Sequence, residues 1–166
     1  MNATAISELN ETFSQASAEE ILTYLVDKFG KRLTVASSLG LEDQILTHML
    51  SQLSDGMDIF VLDTGRLHQV TYDLMATTSR QYAFQYRFFF PKQDDVEAMV
   101  SAHGPNHFYL SVENRKECCG IRKVDPLSRA LDGYATWVTG IRRAQSVERA
   151  LTPFFEWDDA HGLLKV

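Results

Sequence analysis

The stretch RLTVASSLGLEDQILTHMLSQL, Arg32 to Leu53, changes hydrophobic period in its middle. Arg32 to Ser37 is a short apolar run that reads as a buried strand. Ser38, Leu39 and Gly40 turn the chain. Leu41, Ile45, Leu46, Met49, Leu50 and Leu53 then recur at helical spacing, as the inner face of a helix.

Working outward, the same alternation returns. Upstream, Ser17 to Glu20 forms a capping box, Ile21, Leu22, Leu25, Val26 and Phe29 make one apolar stripe, and Gly30 stops it. Downstream, DIFVL at 58–62 reads as a second strand, and Asp63-Thr64-Gly65 turns into a helix bearing Leu67, Val70 and Leu74. FQYRFFF at 84–90 reads as a third strand ended by Pro91, followed by a helix over 93–103 that Gly104-Pro105 breaks. Asp125 with Pro126 suits a helix start, TWVT at 136–139 reads as a fourth strand, and Leu163 to Val166 opens another apolar run. Strands alternating with helices predict an α/β fold, a mostly parallel sheet with helices on both faces. No repeat or linker divides residues 1–166, so a single domain is expected.

At 166 residues, with 45% hydrophobic and 23% charged, the chain can bury about 68–70% of its unfolded surface without a disulfide or metal. No apolar run approaches the roughly 20 residues of a membrane span, and Met1 to Phe13 lacks the basic and apolar regions of a secretory signal. Two adjacent cysteines, Cys118 and Cys119, are no disulfide framework. These features predict a soluble, cytoplasmic protein. The net charge of −6 argues against nucleic acid, but Arg115 to Arg149 holds eight basic and four acidic residues, a local +4 that suits a small anion.

In an open parallel sheet, ligands collect beyond the carboxyl ends of the strands. Three loops lie there. In the first, Ser37, Ser38 and Gly40 offer backbone N–H groups at a helix start, with Glu42 in the first turn. In the second, Leu62, Asp63, Thr64 and Gly65 precede Arg66 and His68. In the third, Gly140 is followed by Arg142 and Arg143, a pair able to clamp a phosphate or sulfate. Each loop alone reads equally as a capped turn with surface charges. Lys116, Arg122 and Lys123 surround the cysteine pair and favour thiolates, the form that ligates metal or attacks. Two thiolates are half of a four-cysteine site.

In register, SSLGLEDQ (37–44), LDTGRLH (62–68), ECCGIRKVDPL (117–127) and WVTGIRRAQS (137–146) resemble the assimilatory sulfonucleotide reductases, the adenylyl-sulfate and phosphoadenylyl-sulfate reductase family. The resemblance implies an adenine nucleotide α-hydrolase-like (Rossmann-like) fold. It implies a modified phosphate-binding loop at Ser37, Ser38, Gly40 and Glu42. An adenine and ribose loop would lie at Leu62, Asp63, Thr64, Gly65, Arg66 and His68, and a phosphosulfate loop at Gly140, Arg142 and Arg143. Cys118 and Cys119 resemble ligands of a 4Fe-4S cluster, which marks the branch that usually prefers adenylyl sulfate, and Lys123 falls where the family places a lysine near both cluster and sulfate. The implied activity is thioredoxin-dependent reduction of adenylyl sulfate to sulfite and AMP in sulfate assimilation.

The sequence departs from the family pattern in two places. Gln69 and Val70 stand where Pro-Glu is common, and the second Cys-x-x-Cys pair and the Glu-Cys-Gly tail with its catalytic cysteine are not among these residues. The expectation is therefore the N-terminal two-thirds of a reductase, with no catalytic residue and two of four cluster ligands, binding adenylyl sulfate or AMP without turnover. Thioredoxin or a similar thiol is the expected reductant, a second copy of the chain is a further candidate partner, and no nucleic-acid or membrane partner is expected. Rival readings are a phosphoadenylyl-sulfate reductase, a non-catalytic nucleotide or metal sensor, and an ATP-using enzyme, which would want a Gly-Gly in the first loop.

Overall fold

The computed structural model describes residues 2–56 and 58–166. The helices are α1 (Ala3–Thr12), α2 (Ala18–Phe29), α3 (Leu41–Leu53), α4 (Gln69–Tyr82), α5 (Gln93–His103), α6 (Val112–Cys119) and α7 (Asp125–Leu131). The strands are β1 (Leu33–Ala36), β2 (Ile59–Leu62), β3 (Arg87–Phe89), β4 (Thr136–Thr139), β5 (Glu156–Asp158) and β6 (Leu163–Lys165). One sheet runs β3-β2-β1-β4-β6-β5, parallel throughout except for the β5–β6 hairpin.

The strand residues alternate between two cores. Val35, Ile59, Val61, Val138 and Leu164 face helices α2 to α4, where Leu22, Leu25, Leu50 and Met75 meet them. Phe60, Trp137 and Leu163 face the other way, onto Ala130 and Leu131 of α7. Helices therefore cover both faces, as the alternation of strands and helices predicts. The chain steps outward from β1 through β2 to β3, then returns to place β4 on the other side of β1. That reversal opens a crevice at the carboxyl ends of β1 and β4.

At the opposite, amino ends of the strands, Asp58 is a hub. Its carboxylate accepts from Thr34 Oγ1 (2.7 Å), Tyr134 Oη (2.7 Å) and Arg87 Nη2 (2.8 Å). The Arg87 guanidinium also lies against the rings of Phe89 and Tyr134. Burial, followed by the bond to Asp58, raises the Tyr134 phenol to about 12.

Several expectations need correction. On α3, Leu46, Met49, Leu50 and Leu53 pack on the core as the spacing predicts, with Asp43 and Thr47 also buried, whereas Leu41 is 71% exposed and Ile45 is also exposed. Asp43 thereby reaches the preceding loop. On α4, Met75 and Thr78 are buried while Val70 and Leu74 are exposed. Asp63 and Thr64 do not cap α4, whose N-cap is His68. The third strand is confined to Arg87–Phe89. Asp125 is not a cap either, because α6, a π-helical turn over Gly120–Val124, and α7 follow one another without leaving helical backbone. α1 packs Ile6 and Leu9 against the core, and its Asn10 side chain ties it to Phe155 through two bonds with the backbone there.

Candidate functional site

The first loop curls around a carboxylate of its own helix. Leu39 adopts a left-handed φ of 63°, rare for a side-chain-bearing residue. The backbone N–H groups of Ser38 (2.7 Å) and Gly40 (3.3 Å), together with Ser38 Oγ (2.7 Å), donate to Asp43 Oδ2. Leu39 N–H donates to Ser37 Oγ (3.1 Å), and Ser37 N–H to the Phe60 carbonyl (2.9 Å). These amides, expected to face a ligand anion, are thus spent internally. Asp43 reaches across to β4 as well: a Cβ built on Gly140 would stand 2.1 Å from Asp43 Oδ1, so only glycine fits there.

The second loop is shaped by Asp63, which is almost fully buried. Its carboxylate accepts from Gly65 N–H (2.8 Å) and from Tyr72 Oη (2.8 Å), and that bond holds the Tyr72 phenol above its ordinary range. Arg122, buried in the π-helical turn three residues past Cys119, donates through Nη1 to the Thr64 carbonyl at 2.6 Å. π-turns often mark functional positions; here the extra residue per turn accompanies an arginine aimed at the loop.

The third loop, residues 141–150, is exposed throughout. Arg142 Nε donates to Glu42 Oε1 at 2.9 Å, bridging the first and third loops. The Glu42 carboxyl lies below the usual carboxylate range, chiefly through its own backbone N–H and then through Arg142. Arg143 points elsewhere: its Nε donates to the Thr152 carbonyl (3.0 Å) and its guanidinium stacks 4.3 Å over Phe154.

Between the loops lies a cleft of about 500 Å³. Of the residues singled out in the sequence, Ser37, Ser38, Gly40, Glu42, Leu62, Thr64, Lys123 and Gly140 line it. Asp63 and Gly65 shape the loop behind it. Arg66 is directed to the Pro105 carbonyl, Asn106 and the Phe108 ring. His68 is exposed at the start of α4. Neither Arg142 nor Arg143 lines the cleft; Gln145 and Arg149 do, joined to each other through Gln145 Oε1. Arg149 belonged to the basic window, but nothing in its spacing set it apart. Asp43 was passed over because an acid in a first helical turn needs no further explanation.

Cys118 is buried, Cys119 is half-buried, and both are free thiols. Their donor chemistry suits a soft metal centre, but their number does not close one. Among the described residues, no three His, Cys, Asp or Glu side chains come together as a metal site.

The sheet order and crevice define an adenine nucleotide α-hydrolase-like fold. It superposes on the crystal structure of phosphoadenylyl-sulfate reductase from Candida auris in its phosphate complex, with a TM-score of 0.83 and 25% identity, covering 100% of this chain and 78% of that one. Residues 32–166 match the phosphoadenosine phosphosulfate reductase domain, and the chain belongs to that family. Adenosine 5'-phosphosulfate reductase of Agrobacterium fabrum is 44% identical over 137 residues, 82% of this chain and 53% of that protein. The Burkholderia cepacia protein of the same name is 44% identical over 153 residues, 90% of this chain and 61% of that protein. The chain thus spans little more than half the length of these relatives.

Proposed function

We propose that this chain forms the substrate-binding part of an adenylyl-sulfate reductase. The observation that carries the reading is the convergence of Lys123, four residues past Cys119, and Arg149 on a cleft bounded by Ser37–Gly40 and Leu62–Thr64. Two cations from separate elements, at a crevice of nucleotide size, suit the phosphosulfate of adenylyl sulfate. The names of the relatives support the same substrate.

In the proposed reaction, a thiolate from outside these 166 residues attacks the sulfate sulfur. The bond from that sulfur to the phosphate oxygen breaks, AMP leaves with the electron pair, and the thiol carries the sulfo group. A second thiol, from thioredoxin or a similar dithiol, attacks the cysteine sulfur. Sulfite departs with the electron pair, and the thiols end as a disulfide. Negative charge grows on the phosphate during the first step, where Lys123 and Arg149 counter it. With its amides committed to Asp43, Ser37 Oγ and the Phe60 carbonyl, and the Ser38 hydroxyl proton also on Asp43, the first loop contributes shape and the Ser37 hydroxyl, and leaves charge compensation to the side chains.

Cys118 and Cys119 are proposed as two of four thiolate ligands to a 4Fe-4S cluster, the others lying outside these residues. Competition among adenylyl sulfate, its 3′-phosphorylated form and ATP for the purified chain tests the substrate. The expected order places adenylyl sulfate first; preference for ATP would overturn the reading, and preference for the 3′-phosphorylated form would move it to the other branch.

A further inference from the structure

The amino ends of β4 and β6 lie at the opposite end of the strands from the nucleotide cleft, and there three side chains stand in a row. Asp158 and His161 flank the turn between β5 and β6, and Ser128 belongs to α7. His161 Nδ1 lies 2.8 Å from Asp158 Oδ2, and His161 Nε2 lies 3.4 Å from Ser128 Oγ. Carboxylate, imidazole and hydroxyl in that order form the relay that turns a serine into a nucleophile.

The acid and the base are held in place. Asp158 Oδ1 accepts from the backbone N–H groups of Ala160 (3.1 Å) and His161 (3.2 Å), which leaves Oδ2 to the ring. The side chains of Asp158 and His161 are 13% and 14% exposed, and the Trp137 ring meets the imidazole edge-on. An imidazole whose Nδ1–H donates to a carboxylate keeps its lone pair on Nε2, where it can take a proton from the serine. The Ser128 hydroxyl also lies 3.1 Å from the Val124 carbonyl, so its single proton has two acceptors at rest. Ser128 and His161 border a cavity of about 260 Å³, with Leu131, Asp132, Gly133 and Ala160 on its walls. At roughly 30 Å³ per water, that is room for a compact acyl group. The negative charge of Asp132 disfavours an anion there. Val166 lies at the other, carboxyl end of the sheet, where its carbonyl accepts from Thr139 N–H (2.8 Å).

We propose that Ser128, His161 and Asp158 form a second catalytic site, which hydrolyses small uncharged esters of short acyl groups. Ser128 Oγ attacks the ester carbonyl carbon, and its proton passes to His161 Nε2. The carbon–oxygen bond to the alcohol breaks, the alcohol leaves with that proton, and the acyl group stays on Ser128. Water then attacks the acyl carbon and gives a proton to His161, and the Ser128 oxygen leaves and takes the proton back. The products are a carboxylic acid and an alcohol, with no oxidant or reductant. The backbone N–H groups of Asp132 and Gly133 border the same cavity and find no acceptor among the described residues; they would receive the negative carbonyl oxygen. Asp158 is a positioning residue that acts through the imidazole.

The test is hydrolysis of 4-nitrophenyl acetate by the chain, read as release of 4-nitrophenolate. The expected result is saturable release above the buffer rate, an acetyl group on Ser128 by mass spectrometry of the quenched protein, and a loss of kcat on the order of a hundredfold in Ser128→Ala and in His161→Gln. Asp158→Asn should lower kcat with KM held, a split that a merely structural role would not produce. Ser128 is exposed, so its variant reports on activity even if Asp158→Asn fails to fold. Release at the buffer rate, an unchanged rate in Ser128→Ala, or an acetyl group found only on cysteine or lysine would each overturn the proposal, and would leave the reading of the cleft as it stands.

Discussion

Gly140 and Asp43 meet at the switch point of the sheet so closely that a Cβ on the glycine would stand 2.1 Å from the carboxylate Oδ1. The same carboxylate gathers the Ser38 and Gly40 amides through Oδ2. One side chain thus joins the loop after β1 to the loop after β4, and the cleft depends on both.

Gly140→Ala should therefore displace Asp43 and release the first loop. We expect a loss of about 1–3 kcal/mol of stability by urea denaturation, the usual scale for overpacking, and at least tenfold weaker AMP binding. Full stability together with wild-type affinity would show that the contact does not organise the site.

Arg122→Met keeps the length of the side chain but leaves the Thr64 carbonyl without its donor. Thr64 is half-buried at the cleft, so losing this bond from a charged donor should cost about 1.5 kcal/mol. Since that carbonyl lies in the loop bordering the cleft, AMP affinity should fall with stability. Calorimetry that finds the affinity unmoved would confine Arg122 to folding.

Strands β1 to β4 and helices α2 to α5 were legible in the sequence because strand and helix periods alternate there; α6 was not, because its residues carry charges and no apolar stripe. The helix faces were less so. On α3, Leu46, Met49, Leu50 and Leu53 pack on the core as their spacing predicts, but Leu41 and Ile45 lie exposed while the polar Asp43 and Thr47 are buried; on α4, Val70 is exposed and Thr78 buried. Hydrophobic spacing does not mark the polar residues that share a helix's buried face. Of the loop residues singled out in the sequence, Ser37, Ser38, Gly40, Leu62, Thr64, Lys123 and Gly140 come together around one cleft. Which arginine faces it was not legible: Arg142, Arg143 and Arg149 differ only in how an exposed loop folds and in partners as distant as Glu42 and Phe154.

Tyr134 gives a pH signature. Its folded pKa of about 12 lies above the ordinary 10, so the neutral phenol favours the folded state. That contribution is complete below pH 10 and is lost as pH rises from about 10 toward 12. Melting temperature should decline over this window, and Tyr134→Phe should flatten the decline while lowering stability at neutral pH by about 1 kcal/mol for the lost bond to Asp58. An identical pH slope in the variant would contradict the assignment.

Cys118 and Cys119 are the only thiols in this sequence, and both sit at the end of α6. Attack on the sulfate sulfur needs an approach of about 3–3.5 Å in line with the departing AMP. Incubation of the 166-residue chain with adenylyl sulfate should leave both cysteines unmodified by mass spectrometry. A sulfo group on either one would make it the nucleophile and overturn its assignment as a cluster ligand.

The most direct test of the central claim is calorimetric titration of adenylyl sulfate into the chain and its Lys123→Met and Arg149→Met variants at two salt concentrations. We predict saturable 1:1 binding, weakened about tenfold or more by either substitution, since a hydrogen bond to a charged group is worth about 1.5–3 kcal/mol, with a shallower salt dependence in each variant. Binding with unchanged affinity and salt dependence in both variants would contradict the assignment of this cleft to the phosphosulfate.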